Sequence, residues 1–175
     1  MLSGTQESIS LKGRNYRQTK GQAYTRGEYI HGSPSLKISR FTMGDTKTKY
    51  AQRVSLLSRN TIQIRHNALE AARVAANKVL SNNLGETGYL LSLCVYPHII
   101  LRENRMIATA GADRLQEGMR RSFGKPSSRA ARVKHDQPIL SIYVNEGAVE
   151  HAKNALRISA GKLPTTCRIV VETLP

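Results

Sequence analysis

The sequence predicts a single α+β domain over residues 1–175. In it a mixed, mainly antiparallel sheet carries two helices on one face and a long basic internal loop. Three observations predict this. Two segments repeat apolar residues at spacings of three and four. Several short runs of apolar and β-branched residues, bounded by Gly, Pro and Asn, read as strands. Between two of those runs lies a charged stretch, Arg102–Arg132, with no sustained apolar period. A chain of 175 residues is long enough for one well-filled core.

Taken in order, Met1–Arg40 reads as an irregular arm, punctuated by Gly4, Gly13, Gly21, Gly27, Gly32 and Pro34. Basic and aromatic residues interleave along it: Lys12, Arg14, Tyr16, Arg17, Lys20, Tyr24, Arg26 and Tyr29. The core follows over residues 41–175. Leu36–Phe41 alternates weakly and is a strand candidate at its edge, and Thr42–Ala51 reads as a basic turn. Arg53–Leu57 and Ile62–Ile64 are short strand candidates. Asn67–Leu80 is the clearest helix. Leu69, Ala72, Ala76, Val79 and Leu80 share one face, Asn67 is the expected N-cap, and Ser81–Gly88 supplies the stop.

Tyr89–Val95 is expected to be a strand buried on both faces and broken by Pro97. His98–Arg102 is the next strand and leads into the basic loop, spanning about residues 103–128. Arg129–Val133 resumes extended structure. Gln137–Val144 alternates, with Ile139, Ser141 and Tyr143 on one side and Leu140, Ile142 and Val144 on the other. Asn145 is expected to cap a second helix ending near Ala160, with Val149, Ala152, Leu156 and Ala160 inward. Gly161 and Pro164 end it, and Arg168–Val171 is the last strand.

Charge narrows the function. Lys and Arg number 27 against 12 Asp and Glu, a formal charge of +15. Self-repulsion of that size is relieved by a polyanion, and nucleic acid is the polyanion that fits. The basic residues are spread along the chain and do not form one amphipathic helix face, which argues against a membrane surface. The two cysteines, Cys94 and Cys167, read as small buried hydrophobes in a reducing compartment. Met1–Ser10 lacks the apolar core of a secretion signal, and the longest apolar runs are too short to span a bilayer. A soluble, cytoplasmic protein is expected.

The stretch Arg102–Arg132 holds eight Lys or Arg residues and three acids, Glu103, Asp113 and Glu117, with Gly111, Gly118, Gly124 and Pro126 interspersed. Its two readings are a solvated charged loop and a phosphate-binding one. Forked guanidiniums on a glycine-rich backbone suit phosphate oxygens, so the second reading is favoured by the rest of the chain. The run Gly118–Pro126 superficially resembles a nucleotide-binding P-loop. It fails because its spacing is one residue too long and Pro126 replaces the metal-binding hydroxyl and lacks an N–H. Cys94 and His98 read as core, not as a nucleophile pair. The five histidines show no metal-ligand spacing, and no cofactor is expected. Neither a reactive centre nor a standard RNA-module signature is visible.

The segment Ala110–Pro126, AGADRLQEGMRRSFGKP, resembles the signature of the universal large-subunit ribosomal protein sixteen family, more closely its archaeal/eukaryotic branch, ribosomal protein ten-e. Ala68–Lys78, Arg132-Val133 and Ile139–Ile142 match the same branch. The resemblance runs from about Arg14 to the last strand, and Asp45–Ile64 departs from the pattern. It implies a two-layer α/β sandwich with a hammerhead-like β feature and a structural role in the large ribosomal subunit. It further implies a place in large-subunit rRNA below the central protuberance, near 5S rRNA, with other ribosomal proteins as neighbours. The internal loop would point toward the peptidyl transferase centre and the A- and P-site tRNA. A factor of late subunit maturation is an implied partner.

Carried onto this chain, the tRNA-proximal loop comprises Arg105, Ala110, Gly111, Ala112, Asp113, Arg114, Gln116 and Gly118. The residues read as rRNA-binding are Lys12, Arg14, Tyr16, Arg17, Lys20, Tyr24 and Arg26 of the arm, and Arg102, Arg120, Arg121, Lys125, Arg129 and Arg132 flanking the loop. Arg and Lys would hold phosphates while tyrosine rings stack on splayed bases. Two rival readings stay open on the residues alone. One is a free RNA-processing or RNA-modifying enzyme, which needs a reactive centre. The other is a DNA-architectural protein, which needs a wedge or a recognition helix that both packed helices lack.

Overall fold

The computed structural model describes residues 19, 21–104 and 122–174. Eight strands and two α-helices form an α+β fold: β1 (Thr42–Gly44), β2 (Gln52–Ser58), β3 (Ile62–Arg65), α1 (His66–Leu84), β4 (Leu90–Leu93), β5 (Ile99–Glu103), β6 (Lys125–Val133), β7 (Pro138–Val144), α2 (Val149–Ala160) and β8 (Cys167–Thr173). The strands divide between two sheets, β1-β4-β7-β2-β8 and β3-β6-β5. Every described pairing is antiparallel, in keeping with the mainly antiparallel sheet expected, and the strands divide between two sheets where one mixed sheet was expected. The reason lies in the crossovers. β7 and β8, joined through α2, run in the same direction but are separated by β2, so the parallel relation never becomes a hydrogen-bonded ladder. The strands on either side of α1, β3 and β4, lie in different sheets.

Strand β7 lies at the centre of the larger sheet, with Ile139 to Ile142 all buried and Tyr143 half-buried. Leu140, Ile142 and Val144 join Val54, Leu56, Leu91 and Leu93 in the core cluster. Leu69, Ala72, Ala76 and Leu80 of α1 and Ala152, Ala155, Leu156 and Ala160 of α2 complete it. Alanine at five of these positions brings helix backbone close to the facing layer. Ile62, Ile64, Ala131 and Val133 of the smaller sheet enter the same cluster, so one core anchors both sheets.

The elements differ from expectation in instructive ways. Helix α1 runs past Leu80 to Leu84, because Asn83 donates its amide to the Val79 carbonyl at 2.7 Å within the helix. Asn67 sits inside α1, and Arg65 holds the N-cap position, where its side chain makes no capping hydrogen bond to the helix. Asn145 likewise gives no side-chain cap. Its carbonyl accepts from the Ala148 amide at 3.0 Å and opens a short 3-10 turn, Glu146–Ala148, ahead of α2. Leu36–Phe41 forms no strand. Pairing starts at the Phe41 carbonyl, which accepts from Leu93, and continues as edge strand β1 within the stretch expected to be a turn. Gly44 permits this: its φ is +93°, and a Cβ there would lie 2.1 Å from the Tyr89 carbonyl oxygen.

Strand β4 is buried on one face only, with Leu91 and Leu93 inward and Leu90 and Ser92 half-buried. That alternation overturns the reading of Cys94 as buried. Cys94 follows β4 on its outer side and is exposed, with Sγ 3.2 Å from Ser141 Oγ. Cys167 is buried as expected, and burial pushes its thiol up to about 12. Strand β6 begins at Lys125, four residues before the expected resumption. It accommodates Pro126 opposite Arg102, at the register shift between Leu101 and Arg102.

Leu156 is fully buried. Leu156→Asp would place a charge in that core, and the variant is expected to lose its cooperative thermal transition. Leu156→Ala is expected to cost about 2–5 kcal/mol. An unchanged melting temperature for the Asp variant would contradict this packing.

Candidate nucleic-acid interface

The basic loop leaves the fold as the connection of a hairpin. Strand β5 ends at Glu103, β6 starts at Lys125, and the two pair up to Glu103 opposite Lys125. The root of this connection is tight. Gly124 has φ +77°, and a Cβ there would lie 2.5 Å from the Glu103 carbonyl carbon, so only glycine lets the returning chain close onto β5.

The N-terminal arm comes to the same place. The Ile100 amide of β5 donates to the Tyr24 carbonyl at 2.9 Å, which lays the arm along the edge of the smaller sheet. Arginines from β5 and β6 then fasten it. Arg132 donates through Nη1 to the Gly21 carbonyl at 2.9 Å and through Nε to Gln63 Oε1 at 3.2 Å. Arg129 donates through Nη2 to Ser33 Oγ at 3.1 Å.

Arg102 joins arm and loop root. Its Nε donates to the Gly124 carbonyl at 3.0 Å, and its Nη1 to the Tyr24 hydroxyl at 3.2 Å. The guanidinium carbon also lies 4.3 Å from the Phe123 ring centroid and 5.4 Å from that of Tyr24. The two rings meet edge to face, 5.9 Å apart at 77°. A planar guanidinium can bond in its plane and stack on its face at once, which a lysine ammonium cannot do.

The partners of these three arginines named above are neutral carbonyls, hydroxyls, an amide and rings. The contacts therefore orient the guanidiniums without cancelling their charge. Elsewhere, ion pairs engage acids on the helices and around the larger sheet: Arg73 with Glu70 at 2.6 Å, Lys153 with Glu150 at 2.6 Å, Arg53 with Glu172 at 3.6 Å and Arg168 with Asp136 at 3.7 Å. His66, at the joint between β3 and α1, registers the positive field. Burial first, then Lys37, Arg65 and Arg129, hold its pKa below the usual imidazole value, so it stays neutral near pH 7.

Of the residues read as rRNA-binding, the structure brings Tyr24, Arg102, Arg129 and Arg132 into this one assembly, with Arg26 and Lys125 exposed on the adjoining segments. Lys12, Arg14, Tyr16, Arg17, Lys20, Arg120 and Arg121 lie outside the described residues. So do Arg105, Ala110, Gly111, Ala112, Asp113, Arg114, Gln116 and Gly118. Sequence reasoning missed Phe123, Gln63 and Ser33. Phe123 carried a signal, since an aromatic residue in a polar, glycine-flanked run has no periodic core partner. Gln63 and Ser33 carried none. Among the described residues, no three metal-binding side chains are gathered, and no helix is long and apolar enough to cross a membrane.

Comparison with known proteins places this geometry in context. The family model described as ribosomal protein L16p/L10e matches residues 19–170. The large ribosomal subunit protein uL16 of Staphylothermus marinus is 52% identical over 161 residues, covering 92% of each chain. That of Methanocella arvoryzae is 48% identical over 160 residues, covering 91% of this chain and 93% of its own. That of Metallosphaera sedula is 52% identical over 164 residues, covering 93% and 94%.

Removing the Arg102 guanidinium deletes two hydrogen bonds and two cation–π contacts. Arg102→Ala is expected to speed hydrogen exchange at the Ile100 amide by about 5- to 150-fold, for a local loss of about 1–3 kcal/mol. Arg102→Lys should recover only part of this. Wild-type exchange in Arg102→Ala would show that the arm is held by other means.

Proposed function

The chain belongs to the ribosomal protein L16p/L10e family, and we propose that it serves as a structural constituent of the large ribosomal subunit, binding large-subunit rRNA through the face where arm and hairpin root meet. The observation that carries this reading is the convergence of the two basic extensions. Arg102 and Arg132 tie the arm to the same small sheet from which the loop departs, so both extensions leave from one place. A rigid core then delivers them together to crowded phosphates. Affinity comes mainly from counterion release, and specificity from RNA shape and unstacked bases.

The finer assignments rest on the family resemblance. The chain sits below the central protuberance beside 5S rRNA, among other large-subunit proteins. Its loop, about Arg105–Gly118, extends toward the peptidyl transferase centre and the A- and P-site tRNA, and a maturation factor engages it late in assembly. The tip at Ala110–Arg114, Ala-Gly-Ala-Asp-Arg, is poor in bulky side chains, which suits close approach to a tRNA acceptor end.

Sedimentation of the tagged protein through a sucrose gradient tests the assignment. It is expected to co-migrate with the large subunit at moderate salt and to stay there at high salt. Migration at the top of the gradient would contradict it and revive the reading of a free RNA-processing or RNA-modifying factor. Off the particle, neutralising about six phosphates would weaken binding about a thousandfold between about 50 and 200 mM salt.

A further inference from the structure

We infer that the cleft between the arm and the hairpin root is a pocket for one unstacked RNA base, with Phe123 as its stacking platform. This rests on the RNA-binding reading above and names a site within it. The cleft has a volume of about 730 Å³, and Gln22, Tyr24, Gln63, Arg102, Phe123 and Arg132 are among its walls. Such a volume lies within the range of pockets that hold small organic groups, about 300–1,000 Å³.

Phe123 is the feature that the fold does not explain. It is 68% exposed and takes no part in the core cluster. Among the described residues its ring packs against Arg102 and Tyr24. Arg102 covers one face of the ring, and the high exposure leaves most of the rest open to solvent. An aromatic ring held by a cation and a neighbouring ring, yet left bare, is pre-oriented at little further entropic cost. That is what a stacking platform requires.

The rest of the lining selects among planar ligands. The side-chain amide of Gln22 carries both donor and acceptor atoms, the complement needed by a base's Watson–Crick or Hoogsteen edge, and Gln63, whose Oε1 already accepts from Arg132, adds its amide NH2 as a donor. Arg102 and Arg132 set two positive charges against the one carboxylate of Glu103 in the same walls, a net positive charge that favours a base carrying a phosphate over an apolar peptide side chain. Asn104 and Ser122, at the hairpin root, also line the cleft.

The test uses the full chain and single-stranded RNA hexamers of adenosine or uridine, with affinity measured across a salt series. Phe123→Ala is expected to weaken binding by about 5- to 150-fold, the range for losing one stacked base, while leaving the salt slope unchanged. Phe123→Trp is expected to restore affinity. Three results would overturn the pocket. If Phe123→Ala binds like wild type while Lys125→Ala weakens binding, the RNA-binding face stands and the pocket falls. If Phe123→Ala and Phe123→Trp are equally weak, Phe123 acts by packing the arm and not by stacking. If the wild-type chain binds no hexamer, the pocket falls too. The gradient experiment then decides separately whether the ribosomal reading survives.

Discussion

A single guanidinium, that of Arg102, couples the parts of this protein that reach outward. It is bonded to the Gly124 carbonyl and the Tyr24 hydroxyl, and lies against the Phe123 and Tyr24 rings. Without it, the arm would still be fastened to the smaller sheet through Ile100, Arg129 and Arg132, but its tie to the loop root at Gly124 and Phe123 would be gone, and more of the ordering would fall on binding. With it, much of that ordering is done in advance, and the charge of each extension acts beside the other's. The constraint extends into backbone geometry, because the Glu103–Gly124 approach leaves no room for a side chain at Gly124.

The core exists to hold that junction steady. The smaller sheet carries the hairpin, but its three strands alone would be a marginal structure. Ile62, Ile64, Ala131 and Val133 commit it to the same apolar cluster that α1, α2 and the larger sheet fill. Helix α1 follows β3 directly, so the helix spans from the hairpin's sheet to the shared core. Rigidity at the root is thus drawn from burial remote from it.

Much of the architecture was legible in the sequence, for reasons visible in particular residues. The period of Leu69, Ala72, Ala76 and Leu80 reports burial directly and survives in the structure, whereas the alternation expected through Ile139–Val144 does not mark an open side, because Ile139 to Ile142 are buried on both faces of the strand. Caps were less legible, because Asn67 and Asn145 have the right chemistry but the chain turns elsewhere. Cys94 was misplaced because an apolar run does not say which face of a sheet lacks a helix. The division into two sheets depends on long-range pairing, which no local pattern encodes. At the candidate interface, composition identified Arg102, Arg129 and Arg132 as important but assigned them to phosphates alone. Their bonds to Gly21, Gly124, Ser33 and Gln63 show that they also build the surface. Such partners lie up to 111 residues away, a separation invisible to spacing arguments.

The central claim is that arm and hairpin root present one face to one RNA neighbourhood. Directed hydroxyl-radical probing tests it within assembled large subunits. A tethered iron chelate would be placed by Ser33→Cys or by Ser122→Cys, in a Cys94→Ser background that removes the exposed native thiol. The account predicts that cleavages from the two positions overlap in a single rRNA region. Two separate regions with no shared cleavage would contradict it.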